Sequence, residues 1–429
     1  MKLLFVHQNF PAQFKHLAPT LAAQGHELRI LTLNQGIPSL WQNIPVTHYP
    51  LQRRSTPGIH PWLGSLESQV IRGEAAFHAA LQMRQGGFTP DVIIAHPGWG
   101  ESLFLKDAWP TARLGIYCEF FYHAHGADVG FDPEFPLDEP AMAGKMRIKN
   151  SNALLHFDIA EAGLSPTQWQ ASTFPEPFRD KISVIHDGID TEVVAPKPHI
   201  RLTLNSKLTL TRADEVITFV NRNLEPYRGY HIFMRALPAL LKKRPRARVL
   251  IVGSDGVSYG ARPATGESWK DIFVREVRPR ISDADWSRVH FLGHLPYPHF
   301  IALLQCSTVH VYLTYPFVLS WSLLEAMSVG CAVIANNSPP VQEAIRHDES
   351  GRLVDFFDHQ ALMESICALL DAPTERRRLG DNARRFAQAT YDLQRVCLPR
   401  QLQWVKDLAG SGGLALPRPT FQTSICQKG

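Results

Sequence analysis

Cysteine is scarce in this chain. Only six occur in 429 residues, at 118, 306, 331, 367, 397 and 426, and no two are spaced C-x-x-C. That excludes a disulfide framework and a thiolate metal knuckle, and it predicts buried, reduced thiols in a cytoplasmic protein. Long apolar runs are lacking too. None approaches the roughly 18 residues that a membrane span requires. The opening "MKLLFVHQNF" meets Pro11 before any stretch of signal-peptide length, so it reads as a first strand. A large excess of either charge is lacking: 44 basic and 40 acidic residues leave a net +4. So small an excess argues against a nucleic-acid partner, yet it leaves room for a basic face at anionic lipid and a membrane-peripheral location.

What is present is alternation. Short, continuous, often β-branched runs at 2–7, 27–32, 91–96, 114–120 and 182–188 are followed by a second series at 216–221, 247–253, 289–293, 309–313 and 332–336. Such runs suit strands buried on both faces, and helical patterns between them, as at 230–244 and 359–371, suit crossovers of a parallel sheet. The class is α/β. The length requires two domains, and the proline-bearing, weakly periodic stretch 190–210 is the natural boundary. The last twenty residues, 410–429, are rich in Gly and Pro and read as a flexible tail. Ligands of open α/β sheets bind beyond the carboxyl ends of the strands, so two such domains place the site in the cleft between them.

Two strand-to-helix junctions in the second series carry chemistry. In "VNRNLEPYRGYHIF" (220–233), Arg222 ends a strand, and Arg228 precedes Gly229 at a helix start. Paired guanidiniums at a cleft mouth suit a diphosphate, because each can bind phosphate oxygens in a bidentate way. In "YPFVLSWSLLEAMSVG" (315–330), Ser320 or Ser322 can cap a helix whose free amides attract an anion. Glu325, about one turn in, can accept hydrogen bonds from neighbouring hydroxyls.

Taken in order, R-x5-RG, a strand ending in Gly253, "LEAMSVGCAVIA" and "SGRLVDFFD" resemble the sugar-nucleotide domain of retaining glycosyltransferases of family 4, with the GT-B fold of two Rossmann-like domains. The likeness covers about 180 residues. The first half is more loosely similar to a subgroup carrying "HPGWGE" (96–101), "EFFY" (119–122) and "FDPEF" (131–135). The resemblance implies an acceptor-side domain at 1–197, a sugar-nucleotide domain at 198–390, and a C-terminal helix at 391–409 that packs back on the first domain. It implies transfer of a hexose-type sugar from a UDP- or GDP-sugar to an acceptor hydroxyl, without metal or other cofactor. By the match, Arg222 and Arg228 hold the diphosphate. The segment Ser320, Trp321, Ser322 adds backbone amides, and Glu325 binds the ribose. Gly229 and Gly253 allow close approach, and the "GHLP" turn with Leu295 follows the base.

Two departures stand out. The family's Glu-x7-Glu pair keeps only Glu325, and Phe317 holds the first position. Phe317 is therefore expected to pack below the sugar. Glu119 falls near the place of a family histidine and is expected at the reacting centre or the acceptor. On the acceptor side the expected residues are Gln8, Asn9, Phe10, Gly98, Trp99, Gly100, Glu101 and Asp128. The loop 121–139 mixes His, Asp and Glu without clear metal-ligand spacing, so no metal site is expected there. A sugar-nucleotide epimerase of the same fold and a non-catalytic sugar-nucleotide-binding protein stay open as alternatives.

Overall fold

The apolar runs become strands at nearly the expected places. The structure, a computed structural model, describes residues 1–137, 139–204 and 208–410. The first sheet contains β1 (Lys2–Val6), β2 (Glu27–Thr32), β3 (Leu40–Trp41), β4 (Ile44–His48), β5 (Val92–Ala95), β6 (Arg113–Tyr117), β7 (Ala162–Ser165) and β8 (Ile182–Val184). Their order is β3-β4-β2-β1-β5-β6-β7-β8, parallel except where the short β3 pairs with β4. A hairpin, β9 (Leu202–Leu204) and β10 (Leu208–Leu210), comes next. The second sheet is wholly parallel, in the order β13-β12-β11-β14-β15-β16. Its strands are β11 (Val216–Asn223), β12 (Arg248–Ser254), β13 (Val289–Phe291), β14 (Val309–Tyr312), β15 (Val333–Asn336) and β16 (Arg352–Val354).

Each sheet reverses its winding once beside its first strand, at β1/β5 and at β11/β14. The gaps above the carboxyl ends there are where such sheets accept ligands. The central strands β1, β5, β11, β12, β14 and β15 are buried almost throughout, which explains their unbroken apolar sequence.

The stretch 190–210 is packed more firmly than a linker. Ile189, Val194 and Ile200 enter the core of the second domain, and Leu202, Leu204 and Leu208 lie against it. The chain then returns. After the helix Pro373–Tyr391, the helix Leu398–Gly410 lies on β6. Gly115 permits that approach: a Cβ there would stand 2.5 Å from the Trp404 ring and 2.6 Å from Leu408. The tail beyond residue 410 lies outside the described residues. Among the described residues no helix is long and apolar enough to cross a membrane.

The loop after β6 reaches across to the second domain. Asp132 accepts a hydrogen bond from Tyr315 Oη (2.7 Å) and lies 3.0 Å from His231 Nε2. Glu134 takes both arms of Arg235, at 2.6 and 2.7 Å. Phe131 packs on Tyr315 and Phe357, and Phe135 on Trp269. In return, Glu343 of the second domain accepts the amides of Gln168 and Trp169, which start a helix of the first. These contacts hold the cleft closed.

Candidate functional site

β11 delivers five buried residues, then Asn221 and Arg222, at the point where its pairing with β12 slips between Val220 and Asn223. The slip leaves Arg222 exposed at the strand's carboxyl end. The turn Pro226–Arg228 follows and closes on Gly229, whose φ of +67° is left-handed. A Cβ at 229 would lie 2.3 Å from that of Leu313, so space as well as φ demands glycine. Arg228 is buried. Its Nη1 donates to Thr314 Oγ1 (2.6 Å) and to the Val318 carbonyl (3.2 Å), and the guanidinium carbon lies 4.9 Å from the centre of the Tyr259 ring. Glu225, fully buried, accepts the amides of Ser258 and Gly260 at 3.0 Å each. One turn thus fixes both Arg228 and the loop that carries Tyr259.

The helix Trp321–Ser328 starts beside this turn. Ser320 occupies the cap position with extended backbone, but its hydroxyl makes no capping bond. Its amide donates instead to Tyr312 Oη (3.0 Å). No side chain caps the helix, so its first-turn amides and its positive end remain open to an anion. Glu325 lies inside that helix, buried, and accepts from Tyr297 Oη at 2.8 Å. Burial raises its carboxyl above the usual range, against the Tyr297 bond. Tyr297 begins the helix that follows the Gly293–Pro296 turn, so Glu325 and the region of Leu295 share one wall. Gly253 donates its amide to the Gly293 carbonyl (3.0 Å), and a Cβ at 253 would crowd Leu224.

Across the cleft stands Glu119, just past β6. Its Oε2 lies 3.8 Å from His96 Nε2, and 41% of its side chain is exposed to cleft water. The surrounding protein still pushes its carboxyl up to about 7. Burial is the main cause and the Asp187 charge adds to it, while Arg222 and Arg228 oppose. The cleft therefore sets one carboxyl of the first domain against two arginines of the second. Around Glu119, the rings of His7, His96, Trp99 and Tyr117 form a cluster at the β1/β5 switch point: His96 lies 5.0 Å from His7, 4.7 Å from Trp99 and 5.3 Å from Tyr117. Burial holds both imidazoles neutral, His7 near 4 and His96 well below its ordinary value. Gln8 and Asn9 follow β1, with Asn9 exposed and its amide bonded to His7 Nδ1 (2.9 Å).

Several expected site residues do other work. Phe10 is wholly buried and packs edge-on against Trp41 at 5.0 Å, because the chain after β1 turns inward there. Glu101 is also fully buried and accepts from Tyr49 Oη (2.7 Å), inside the first domain. Gly100 approaches backbone: a Cβ there would sit 2.3 Å from the Gln69 carbonyl oxygen. Gly98 accommodates the His96 ring, whose Nδ1 accepts its amide. Trp99 faces the histidine pair. Asp128 accepts from Tyr227 Oη, joining the two domains.

Phe317 is 3% exposed, and its neighbours are rings: Phe120 of the first domain at 4.7 Å, Tyr259 at 5.1 Å and Tyr227 at 5.2 Å. It is the centre of an aromatic junction between the domains rather than an open surface. The Trp321 side chain is likewise taken, its indole N–H donating to Asp187 Oδ2 at 2.8 Å.

The donor atoms of Asp132, Glu134 and His231 lie within 4.8 Å of one another. The first two came from the mixed loop, and His231 was not singled out from sequence. Arg235 occupies Glu134, and Tyr315 and His231 face Asp132. The group reads as the interdomain lock described above. Asp187, Glu225 and Tyr259 were missed as well. The one sequence signal for Glu225 was its place between a strand end and the Arg-Gly turn.

Residues 24–194 match the model of the glycosyl transferase family 4 group, and residues 203–386 match that of glycosyl transferases group 1. Together they take in most of the chain. A D-inositol 3-phosphate glycosyltransferase of Corynebacterium efficiens is 27% identical over 392 residues, 87% of this chain and 86% of that protein. Among solved structures, sucrose-phosphate synthase of Thermosynechococcus elongatus superposes with a TM-score of 0.70 at 16% identity, over 96% of this chain and 100% of that one. The Anabaena protein HepE, in complex with UDP and glucose, gives 0.64 at 17% identity, over 95% and 100%.

Proposed function

The chain belongs to the group 1, family 4 glycosyltransferases of GT-B fold, enzymes that use a nucleotide-sugar, and from that premise we propose that it transfers a hexose-type sugar from a UDP- or GDP-sugar to an acceptor hydroxyl with retention and without a metal ion. One observation carries the reading. Two arginines, an uncapped helix start and a buried glutamate line one wall, and a carboxyl with a raised pKa faces them. Arg222 and Arg228 supply the positive charge that a leaving diphosphate gathers as the glycosidic bond breaks, and the open helix amides add to it. Glu325 accepts the ribose hydroxyls. Its inward, Tyr297-braced position suits a contact made by the nucleotide before the sugar is engaged. HepE in complex with UDP-glucose supports a uridine diphosphate sugar as the first donor to try.

Retention here needs no pair of carboxylates of glycosidase spacing. The acceptor attacks from the face the diphosphate leaves, and a phosphate oxygen takes its proton. Glu119 is placed to orient the acceptor or the sugar hydroxyls. The acceptor itself is a hydroxyl of a glycan, a lipid-linked sugar, a peptide or a small molecule. The test is the anomeric configuration of the first product. Proton NMR of a reaction started from an α-linked sugar-nucleotide should show an α-linked glycoside, and a β-linked product would overturn the mechanism.

A further inference from the structure

The helix that would receive the diphosphate is tied at its first residue to the opposite domain. The indole N–H of Trp321 donates to Asp187 Oδ2 at 2.8 Å. Asp187 lies just past β8 and is only 6% exposed. Both its oxygens accept from Tyr117 Oη at 3.0 Å. Tyr117 ends β6, two residues before Glu119, and its ring stacks on His96, which faces Glu119. Lys15 of the first domain stands over the Trp321 ring, 4.9 Å from its centre. A short path therefore runs from the helix start through one buried carboxylate to the strand that carries Glu119. A hydrogen bond to an ionised, buried acceptor is stronger and more directional than a neutral one.

We propose that Asp187 is a positioning residue, which holds the indole of Trp321 so that the phosphate-facing helix and Glu119 keep a fixed separation during transfer. This rests on the sugar-transfer reading above. The bond involves neither the helix amides nor Glu325, so its expected contribution to nucleotide binding is small. It governs alignment. Small misplacements of reacting groups cost rate rather than binding, on the order of 100-fold for about 1 Å.

The test uses the full chain, and release of nucleoside diphosphate from whichever UDP- or GDP-sugar the wild type turns over. Trp321→Phe keeps the ring and removes the N–H. Asp187→Ala removes the acceptor, and Asp187→Asn keeps an oxygen in its place. Trp321→Phe and Asp187→Ala should each lower kcat by about 10- to 100-fold, while donor KM and the Kd for nucleoside diphosphate move by less than about threefold. Asp187→Asn should recover most of the rate. The double variant Asp187→Ala/Trp321→Phe should be no slower than the slower single one, because both remove the same link. Wild-type kcat in Trp321→Phe overturns the inference, and so does a loss of rate in which KM, Kd and Tm worsen in step. If Trp321→Phe fails in this way while the wild type releases nucleoside diphosphate, only Asp187's role is lost. If the wild type releases none from any donor, the transfer reading falls and this inference with it.

Discussion

Glu325 offers a trade between stability and function that can be measured. Its carboxyl is buried and accepts one protein hydrogen bond, from Tyr297 at 2.8 Å to Oε1. In the proposed function the other oxygen is the one offered to ribose. A hydrogen bond to a charged group contributes about 1.5–3 kcal/mol, and each 1.4 kcal/mol is tenfold. Glu325→Ala should therefore weaken UDP or GDP by about 10- to 150-fold. Glu325→Gln keeps the shape and one acceptor oxygen but loses the charge, and charge-assisted bonds are about twice as strong as neutral ones. Its loss should be about 3- to 12-fold.

The unliganded protein should respond in the opposite sense. Burial raises the Glu325 pKa in the fold. A folded value above the unfolded one means that the folded state binds the proton more tightly, so stability falls as pH rises from the ordinary carboxyl range through the folded pKa. Above that window the folded protein holds a buried charge that glutamine does not have. Glu325→Gln should thus raise Tm at neutral pH without ligand while it weakens nucleotide binding. Calorimetric titration and thermal melts on the same samples check both halves. A Gln variant that melts lower and binds UDP and GDP as the wild type does would refute the reasoning.

Arg228→Ala should weaken nucleoside diphosphate and sugar-nucleotide by about 1.5–3 kcal/mol and leave the bare nucleoside nearly unchanged; equal loss of all three by calorimetry would make Arg228 a support for the Thr314–Val318 segment instead. Glu119, pushed up to about 7, should make Tm fall as pH rises from the ordinary carboxyl range toward 7, and Glu119→Gln should flatten that slope in melts between pH 5 and 8; an unchanged slope would contradict it. Phe317→Ala opens a hole among three rings and should destabilise the chain by about 3–5 kcal/mol in denaturant unfolding, far beyond the effect of a ring that merely lies below a sugar; a loss under 1 kcal/mol would return Phe317 to an open surface.

All ten strands expected from sequence occur; most are continuous runs buried on both faces, a pattern that survives without context, while β8 and β13 are partly buried edge strands. The strands not anticipated are of another kind. β4 carries Pro45 and alternates buried with exposed positions, β7 is four residues of which only Leu164 is large and apolar, and β16 is a partly buried edge. Their pairing is decided by neighbours rather than by their own sequence. The C-terminal helix on Gly115 could be placed only through the family resemblance.

At the site the same division holds. Arg222, Arg228 and Glu325 stand at strand-to-helix junctions, where position along the chain implies position in the cleft. Glu101 and Phe10 flank such junctions too, but a turn of one residue aims them inward, and no local pattern records that. Asp187 becomes visible only when Trp321, 134 residues away, is placed beside it. The ring junction at Phe317 likewise needs Phe120 from the other domain. Contacts of such separation are made by the closed cleft, and a one-dimensional reading has no period from which to find them.

The most direct test of the central claim is release of nucleoside diphosphate from a panel of UDP- and GDP-sugars by the wild-type chain in excess EDTA. Arginines and a helix end that take the leaving charge should give turnover of at least one donor, at the same rate with and without chelator. No release from any donor, or release abolished by EDTA and restored by magnesium or manganese, would contradict it.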